Sequence, residues 1–250
     1  MRATKKRLDL LMVRRGLAHS RQRALALILA GHVCVNDQRV SKAGAFVPED
    51  ASIRITGRDT PYVSRGGLKL EAALVTFKID VTGLRCLDVG ASTGGFTDCL
   101  LQHGATYVTA VDVGYGQLHW KLRSDPRVRV MERTNIRHLD THLLDSKADL
   151  ACIDVSFISL KIVVPAVLRF LKEPYRIICL IKPQFEVGKG LVGKGGVVRD
   201  PALHQSVIEN VTGSLEKLWL RRLGITPSPI LGPKGNQEYL AYFEGGPSEL

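Results

Sequence analysis

Apolar positions fall first into a helical rhythm, then into short strands, then into a long alternation of the two. Leu8, Leu11 and Met12 recur at helical spacing and stop at Gly16, a natural C-terminal glycine. Ser20 caps a second helix, in which Ala24, Leu25, Ile28 and Leu29 form one stripe ending at Gly31. Val33 and Val35 alternate out of this hairpin as a strand, and Asn36-Asp37 offers a two-residue turn. Val40 begins the return, and Ser52-Ile53-Arg54-Ile55 reads as a further strand. Gly57-Arg58-Asp59-Thr60-Pro61 interrupts regular structure. Residues 1–59 are therefore expected to form a small α+β domain, followed by a linker over 60–64.

From Arg65 onward, helix and strand patterns alternate. A helix runs from about Gly66 to Phe77, with Leu70, Ala73, Leu74 and Phe77 inward. Strands follow near 84–89, 107–111 and 128–131, then over Asp149–Ile153 and Tyr175–Ile181. A long helix capped by Asp200, with Pro201 in its first turn, reaches about Arg222. Ile225–Leu231 and Gln237–Phe243 read as closing strands. Such alternation argues for an α/β fold built on a mostly parallel, doubly wound sheet across residues 65–250.

Composition narrows the function classes. At 250 residues and 45% hydrophobic content the chain can fill a real core. No apolar run approaches the roughly 18 residues needed to span a bilayer, and the basic start Met1-Arg2-Ala3-Thr4-Lys5-Lys6-Arg7 is not followed by a signal-type apolar segment. A cytoplasmic location is expected. Cys34, Cys86, Cys99, Cys152 and Cys179 are odd in number, widely spaced and free of C-x-x-C, which suits reduced core thiols and no metal site. The run from Gly188 to Gly196 nearly spells a P-loop, but Gly195 stands where Ser or Thr would hold Mg²⁺. The net charge of +11 is uneven: residues 1–58 hold 12 of the 35 Lys and Arg but only 4 of the 24 Asp and Glu. A basic segment on a foldable sequence suggests a polyanionic partner, nucleic acid ahead of a membrane surface.

The stretch Leu87-Asp88-Val89-Gly90-Ala91-Ser92-Thr93-Gly94-Gly95-Phe96 carries the clearest chemistry. A buried strand breaks into a Gly-rich turn and resumes as a helix, the nucleotide-binding edge of a doubly wound sheet. Asp112 ends the next strand, 18 residues past Gly94, where a carboxylate can accept both hydroxyls of an adenosine ribose. The turn lacks the second glycine of a dinucleotide fingerprint. It fits the acidic-x-Gly-x-x-x-Gly pattern of S-adenosylmethionine (SAM) enzymes, and Asp88 suits a cationic, amino-acid-bearing cofactor better than a pyrophosphate. The cofactor candidates are Asp88, Gly90, Ala91, Ser92, Thr93, Gly94, Gly95, Phe96, Asp112 and Val113. The same letters also spell the G-x-S-x-G of a hydrolase elbow, and Ser92, Asp154 and His204 follow the Ser…Asp…His order. That reading leaves Asp88, Asp112 and the lysines below without roles.

Four charged residues converge on the same edge. Asp154 and Lys182 each terminate an apolar parallel strand. Glu238 begins the last strand, whose start shares that edge if the strand is antiparallel. Lys69 lies in the first turn of the helix that leads into the Gly-rich strand, so it begins over the ligand edge.

Residues 7–36, with Arg7-Leu-Asp, Gly16-Leu17, Ser20-Arg21, Ala24, Ile28, Gly31 and Val33-x-Val35-Asn36, resemble the S4 RNA-binding domain. Lys69, Asp154, Lys182 and Glu238 match the Lys-Asp-Lys-Glu tetrad of the FtsJ-type ribose 2′-O-methyltransferases. With Tyr62-Val63-Ser64-Arg65-Gly66-Gly67-Leu68-Lys69-Leu70 at the junction, residues 5 to 244 resemble the TlyA family. The resemblance implies a Rossmann-like seven-stranded methyltransferase sheet behind an S4-like domain. It also implies SAM as cofactor and ribosomal RNA or a ribosomal subunit as partner, with transfer to a cytidine 2′-hydroxyl. It implies RNA contacts by Arg7, Arg14, Arg15, Arg21, Arg23, Lys42 and Arg65. The family also carries a haemolysin label, so a membrane-active protein and a non-catalytic RNA-binding protein are the alternatives.

The chemistry explains the residue types. A ribose hydroxyl is a very weak acid, so its proton must be drawn off or its oxyanion steadied. A free lysine, with a pKa of roughly 10.4, is protonated at neutral pH, and a second nearby cation depresses it. Lys182 is expected to be the base or oxyanion partner with Lys69 in support, the reverse assignment remaining open. Asp154 would balance the pair, and Glu238 would fix a lysine or the ribose.

Overall fold

The computed structural model describes residues 4–18, 20–29, 31–42, 44–55, 60–188, 190–193 and 195–246. The chain divides into two compact units, Met1–Asp59 and Thr60–Leu250. Gly57, Arg58 and Asp59 of the expected boundary lie outside the described residues, as do Met1, Arg2, Ala3, Lys189 and Lys194.

In the smaller unit β1 (Lys5–Arg7) runs directly into α1 (Leu8–Arg14), followed by α2 (Arg21–Leu29), β2 (Val33–Val35), β3 (Gln38–Val40), β4 (Phe46–Pro48) and β5 (Ile53–Ile55). β2 pairs antiparallel with β3 and β5, and β1 pairs antiparallel with β4. Asn36 and Asp37 take left-handed φ values of 48° and 63°, as a two-residue hairpin turn requires. Ser20 Oγ accepts the Arg23 N–H at 3.1 Å, the expected cap. Leu8, Leu11, Met12, Ala24 and Ile28 close a small core against Val33, Val35 and Val47. The β1–β4 ribbon has no counterpart in the periodicity, because three residues are too few to establish alternation. Arg7, one of the implied RNA contacts, closes β1 immediately ahead of α1.

The larger unit begins with α3 (Gly66–Phe77), then β6 (Arg85–Val89), α4 (Gly95–Gln102), β7 (Tyr107–Val111), α5 (Trp120–Arg123) and β8 (Val128–Met131). Next come β9 (Ala148–Ile153), α6 (Leu160–Leu168), β10 (Leu171–Ile181), α7 (Pro183–Glu186), α8 (Pro201–Glu216), β11 (Arg221–Pro227) and β12 (Tyr239–Gly245). The strands form one seven-stranded sheet in the order β11-β12-β10-β9-β6-β7-β8. β12 is antiparallel to both neighbours and the remaining pairs are parallel. The chain runs outward from β6 through β7 to β8 and then returns to the other side of β6 for β9. The switch point therefore lies between the carboxyl ends of β6 and β9, where open α/β sheets bind ligands.

Strand alternation fills both faces. Leu87, Val89, Ala151 and Ile153 join Val163, Val167 and Leu215, from α6 and α8, in one cluster. Cys86, Cys152 and Ile178 join Leu70, Leu74 and Leu100, from α3 and α4, in the other. Each such Leu or Ile contributes roughly 1.5–3 kcal/mol. All five cysteines are buried, and burial pushes the Cys86 and Cys99 thiols up to about 12.

Several elements depart from the periodicity, among them β10, which starts at Leu171 rather than Tyr175, and β11, which covers Arg221–Pro227 rather than Ile225–Leu231. α8 stops at Glu216 rather than near Arg222: Trp219 turns left-handed at φ 62° and residues 221–224 pair with β12 instead. β12 starts at Tyr239, one residue past Glu238. α6 contains Pro165, a breaker that hides its helical spacing. Among the described residues no helix is long and apolar enough to cross a membrane.

Candidate active site at the carboxyl edge of the sheet

The Gly-rich turn after β6 owes its course to two close approaches. At Gly90, φ is 87° and a Cβ would lie 2.3 Å from the Asp154 carbonyl oxygen, so only glycine lets the turn meet the end of β9. At Gly95 a Cβ would lie 2.3 Å from Ser64 Oγ and 2.8 Å from the Gly67 nitrogen. The turn is thus wedged between β9 and the start of α3. The cleft above it is lined by Ser64, Gly66, Gly90, Ala91, Ser92, Thr93, Gly95, Phe96 and Asp154. Ser64 and Gly66 were not among the candidates for this site, because a loop ahead of a helix carries no periodic signal. Their proximity follows only from the docking of α3 on α4.

Asp112 holds the turn from the neighbouring strand. Its Oδ2 accepts the Ser92 N–H at 2.7 Å and its Oδ1 the Gly114 N–H at 2.7 Å. Each oxygen keeps a further lone pair for a ligand hydroxyl. Val113 is 71% exposed beyond it. Asp88 is fully buried below the turn; Oδ2 accepts the Thr97 hydroxyl at 2.6 Å, whereas Oδ1 has no partner. Burial pushes its carboxyl up to about 7, against the Thr97 bond, with Asp154 and Asp112 adding to the rise. An orphaned buried carboxylate oxygen, a close-fitting glycine cradle and a ribose-ready aspartate fit a cationic adenosine cofactor such as SAM.

The four convergent charges form two pairs. Lys69 Nζ donates to Glu238 Oε2 at 2.6 Å, with Glu238 fully buried. Lys182 Nζ lies 2.5 Å from Asp154 Oδ1, an ion contact whose angles do not make it a hydrogen bond, and donates to Ser156 Oγ at 3.1 Å. The two ammonium groups thus each rest on a carboxylate, a different balance from a bare lysine pair. Gln184 Nε2 donates to the second Glu238 oxygen at 3.2 Å. Ser156 and Gln184 escaped sequence reasoning; each lies two residues past a strand-end charge that was assigned.

His204 is committed elsewhere: one ring nitrogen meets Tyr239 Oη at 2.9 Å, the other the Val198 carbonyl at 2.8 Å. Ser92 Oγ bonds Gln117, so the hydrolase triad is not assembled. In the smaller unit the candidate RNA arginines are partly occupied. Arg7 grips Asp9 through Nε and Nη2, and Arg21 adds a bond to Asp9 Oδ2 at 2.8 Å. Arg14 pairs with Glu49, and Arg15 donates to the Glu49 and Ala51 carbonyls. Arg23 is half-buried and Lys42 exposed. In the larger unit Arg65 is exposed and reaches the Leu231 carbonyl at 3.4 Å.

Residues 62–244 match the FtsJ-like methyltransferase family, and residues 6–53 match the S4 domain. The chain is 47% identical to the 16S/23S rRNA (cytidine-2′-O)-methyltransferase TlyA of Mycobacterium tuberculosis, over 96% of this chain and 90% of that one. It is 42% identical to a Brachyspira hyodysenteriae protein named Hemolysin A, over 95% and 99% of the two chains. A solved Streptococcus thermophilus structure, provisionally named a hemolysin, superposes with a TM-score of 0.78 at 42% identity, covering 98% of this chain and 90% of that one.

Proposed function

Because the chain belongs to the FtsJ-like methyltransferase family and carries the S4 domain of its TlyA branch, we propose that it transfers the SAM methyl group to a cytidine 2′-hydroxyl of ribosomal RNA. The observation that carries this reading is the pairing of Lys182 with Asp154 and of Lys69 with Glu238 at the switch point, next to the Gly90 turn.

Asp112 would accept the ribose hydroxyls of SAM, and Asp88 Oδ1 would meet its ammonium. When bound, SAM supplies an electrophilic methyl on a sulfonium. Asp154 and Ser156 fix the Lys182 amine from two sides, so its remaining direction is free for the target hydroxyl. Lys182 Nζ would take the hydroxyl proton in its neutral amine form, or steady the oxyanion in its ammonium form, as the O–CH₃ bond forms and the sulfonium S–CH₃ bond breaks to leave a neutral thioether. Lys69, buried and anchored by Glu238 and through it by Gln184, supports the same charge. Because methyl transfer is an in-line displacement, this fixed placement supplies much of the acceleration. The smaller unit, with most of the excess positive charge, would hold structured RNA.

Lys182→Ala is expected to keep SAM affinity in calorimetric titration while single-turnover methyl transfer to ribosomal RNA falls by roughly 10²–10⁴-fold. A near-normal rate would overturn the assignment.

A further inference from the structure

The strand-end segments that carry the Lys182–Asp154 pair are stitched together a second time, farther along. Past Asp154, Val155–Ser159 lead into α6. Past Lys182, α7 makes a single turn and ends at Glu186. Glu186 Oε2 accepts the Ser159 hydroxyl at 2.6 Å, and Oε1 accepts the Leu160 N–H at 2.8 Å. Between the two stitches the Phe157 and Phe185 rings meet with centroids 4.7 Å apart. The intervening loop needs such restraint, since Phe157 is 90% exposed and sits at φ 63°, a conformation a bulky residue rarely adopts. Ser156, which accepts from Lys182, is the residue just before it.

We propose that Glu186 is a positioning residue for Lys182: by clasping Ser159 and Leu160 it holds the 155–159 loop so that Asp154 and Ser156 both bear on the Lys182 amine. The proposal rests on the reading of Lys182 as the proton acceptor or oxyanion partner. It differs from a plain helix cap in what it predicts away from α6. A cap alone would alter the stability of α6 and leave the lysine environment as it is. A clasp transmits its loss to Lys182 and spares Lys69, which is anchored separately on Glu238.

The test is competitive acetylation of the full-length protein with trace labelled acetic anhydride, read at Lys182 and Lys69 by peptide mass spectrometry. It is run on wild type, Glu186→Ala, Glu186→Gln and Ser159→Ala, alongside melting curves and SAM titrations. Glu186→Ala is expected to raise labelling of Lys182, which is only 7% exposed, several-fold with Lys69 unchanged. The same variant should slow single-turnover transfer by roughly 10–100-fold with RNA and SAM affinities retained, the usual consequence of a displaced reacting group. Glu186→Gln should restore both readouts, because its amide oxygen still accepts from Leu160 and its NH₂ can donate to Ser159. If Glu186→Ala does not fold, Ser159→Ala, which deletes the bond to Glu186 together with the Ser159 cap on the Lys161 N–H, is read beside its melting curve, and only a rise in Lys182 labelling with Lys69 unchanged counts for the clasp. Unchanged Lys182 labelling, or an equal rise at both lysines, would reduce Glu186 to a helix cap. Wild-type protein that transfers no methyl group to ribosomal RNA would overturn the functional reading instead, leaving the labelling result to decide the clasp.

Discussion

Two fully buried aspartates, one in each unit, have opposite surroundings. Asp9 receives three bonds from the guanidinium groups of Arg7 and Arg21, which hold its carboxyl well below the usual range. Asp88 receives one hydroxyl bond, keeps an oxygen without a partner and is pushed up to about 7. A buried charge that is matched makes the fold sensitive to the loss of either partner, and one that is left unmatched is a place for a ligand's charge. The smaller unit therefore uses two of its basic side chains to secure its own core, while the larger unit keeps an acidic group uncompensated beneath the cofactor turn.

The largest effect should come from removing the matched charge. Asp9→Ala deletes three charge-assisted bonds and is expected to cost the smaller unit about 3 kcal/mol, moderated because both guanidinium groups reach water. Thiol labelling of Cys34, buried on β2, would report the opening, and unchanged protection would remove the distinction drawn here. On the proposed cofactor reading, Asp88→Asn should weaken SAM binding by about tenfold, near 1.4 kcal/mol. Its melting temperature, followed by the fluorescence of Trp120 and Trp219 in the larger unit, should hold or rise. Loss of stability with intact SAM affinity would reverse the assignment.

Acid and base should pull the two units apart. Asp9 is depressed when folded, so its contribution is present above the ordinary carboxylate range near pH 4 and is lost as pH falls below it. Asp88 is raised, so the folded protein retains a proton that the unfolded chain has shed. Its contribution is present below about pH 4 and is lost as pH rises toward 7. SAM affinity, favoured by the ionised carboxylate, should climb through the same interval and level off above 7; a flat titration would break the link. The smallest effect belongs to Arg7→Lys, which keeps the charge but loses the two-pronged grip, a loss of stability by denaturant titration well below that of Asp9→Ala.

These contrasts bear on what the residue pattern could disclose. The helix at Gly66–Phe77 and the strand at Tyr107–Val111 have the expected limits because their apolar spacing is strong and uninterrupted. The expectation that Lys69, Asp154, Lys182 and Glu238 share one edge came from strand ends and one antiparallel assumption; β12 is antiparallel, and the structure pairs Lys69 with Glu238 and Lys182 with Asp154. The division into two pairs was not readable, since it depends on side-chain reach across 169 residues of sequence for Lys69 and Glu238. Nor could the arginine pattern show that Asp9, two residues past Arg7, would draw in Arg21 as well; that contact exists only once the two helices lie together.

The placement of β12 between β10 and β11 has a consequence for how the protein comes into being. Every strand that forms the cofactor turn is complete by Ile153, yet the partner of Lys69 arrives only with Glu238. The residues of the Gly90 cradle are therefore all synthesised well before the partner of Lys69, and that pair closes only when β12 takes its place between β10 and β11. A chain halted before residue 238 carries Lys69, Asp154 and Lys182 but lacks the carboxylate on which Lys69 rests.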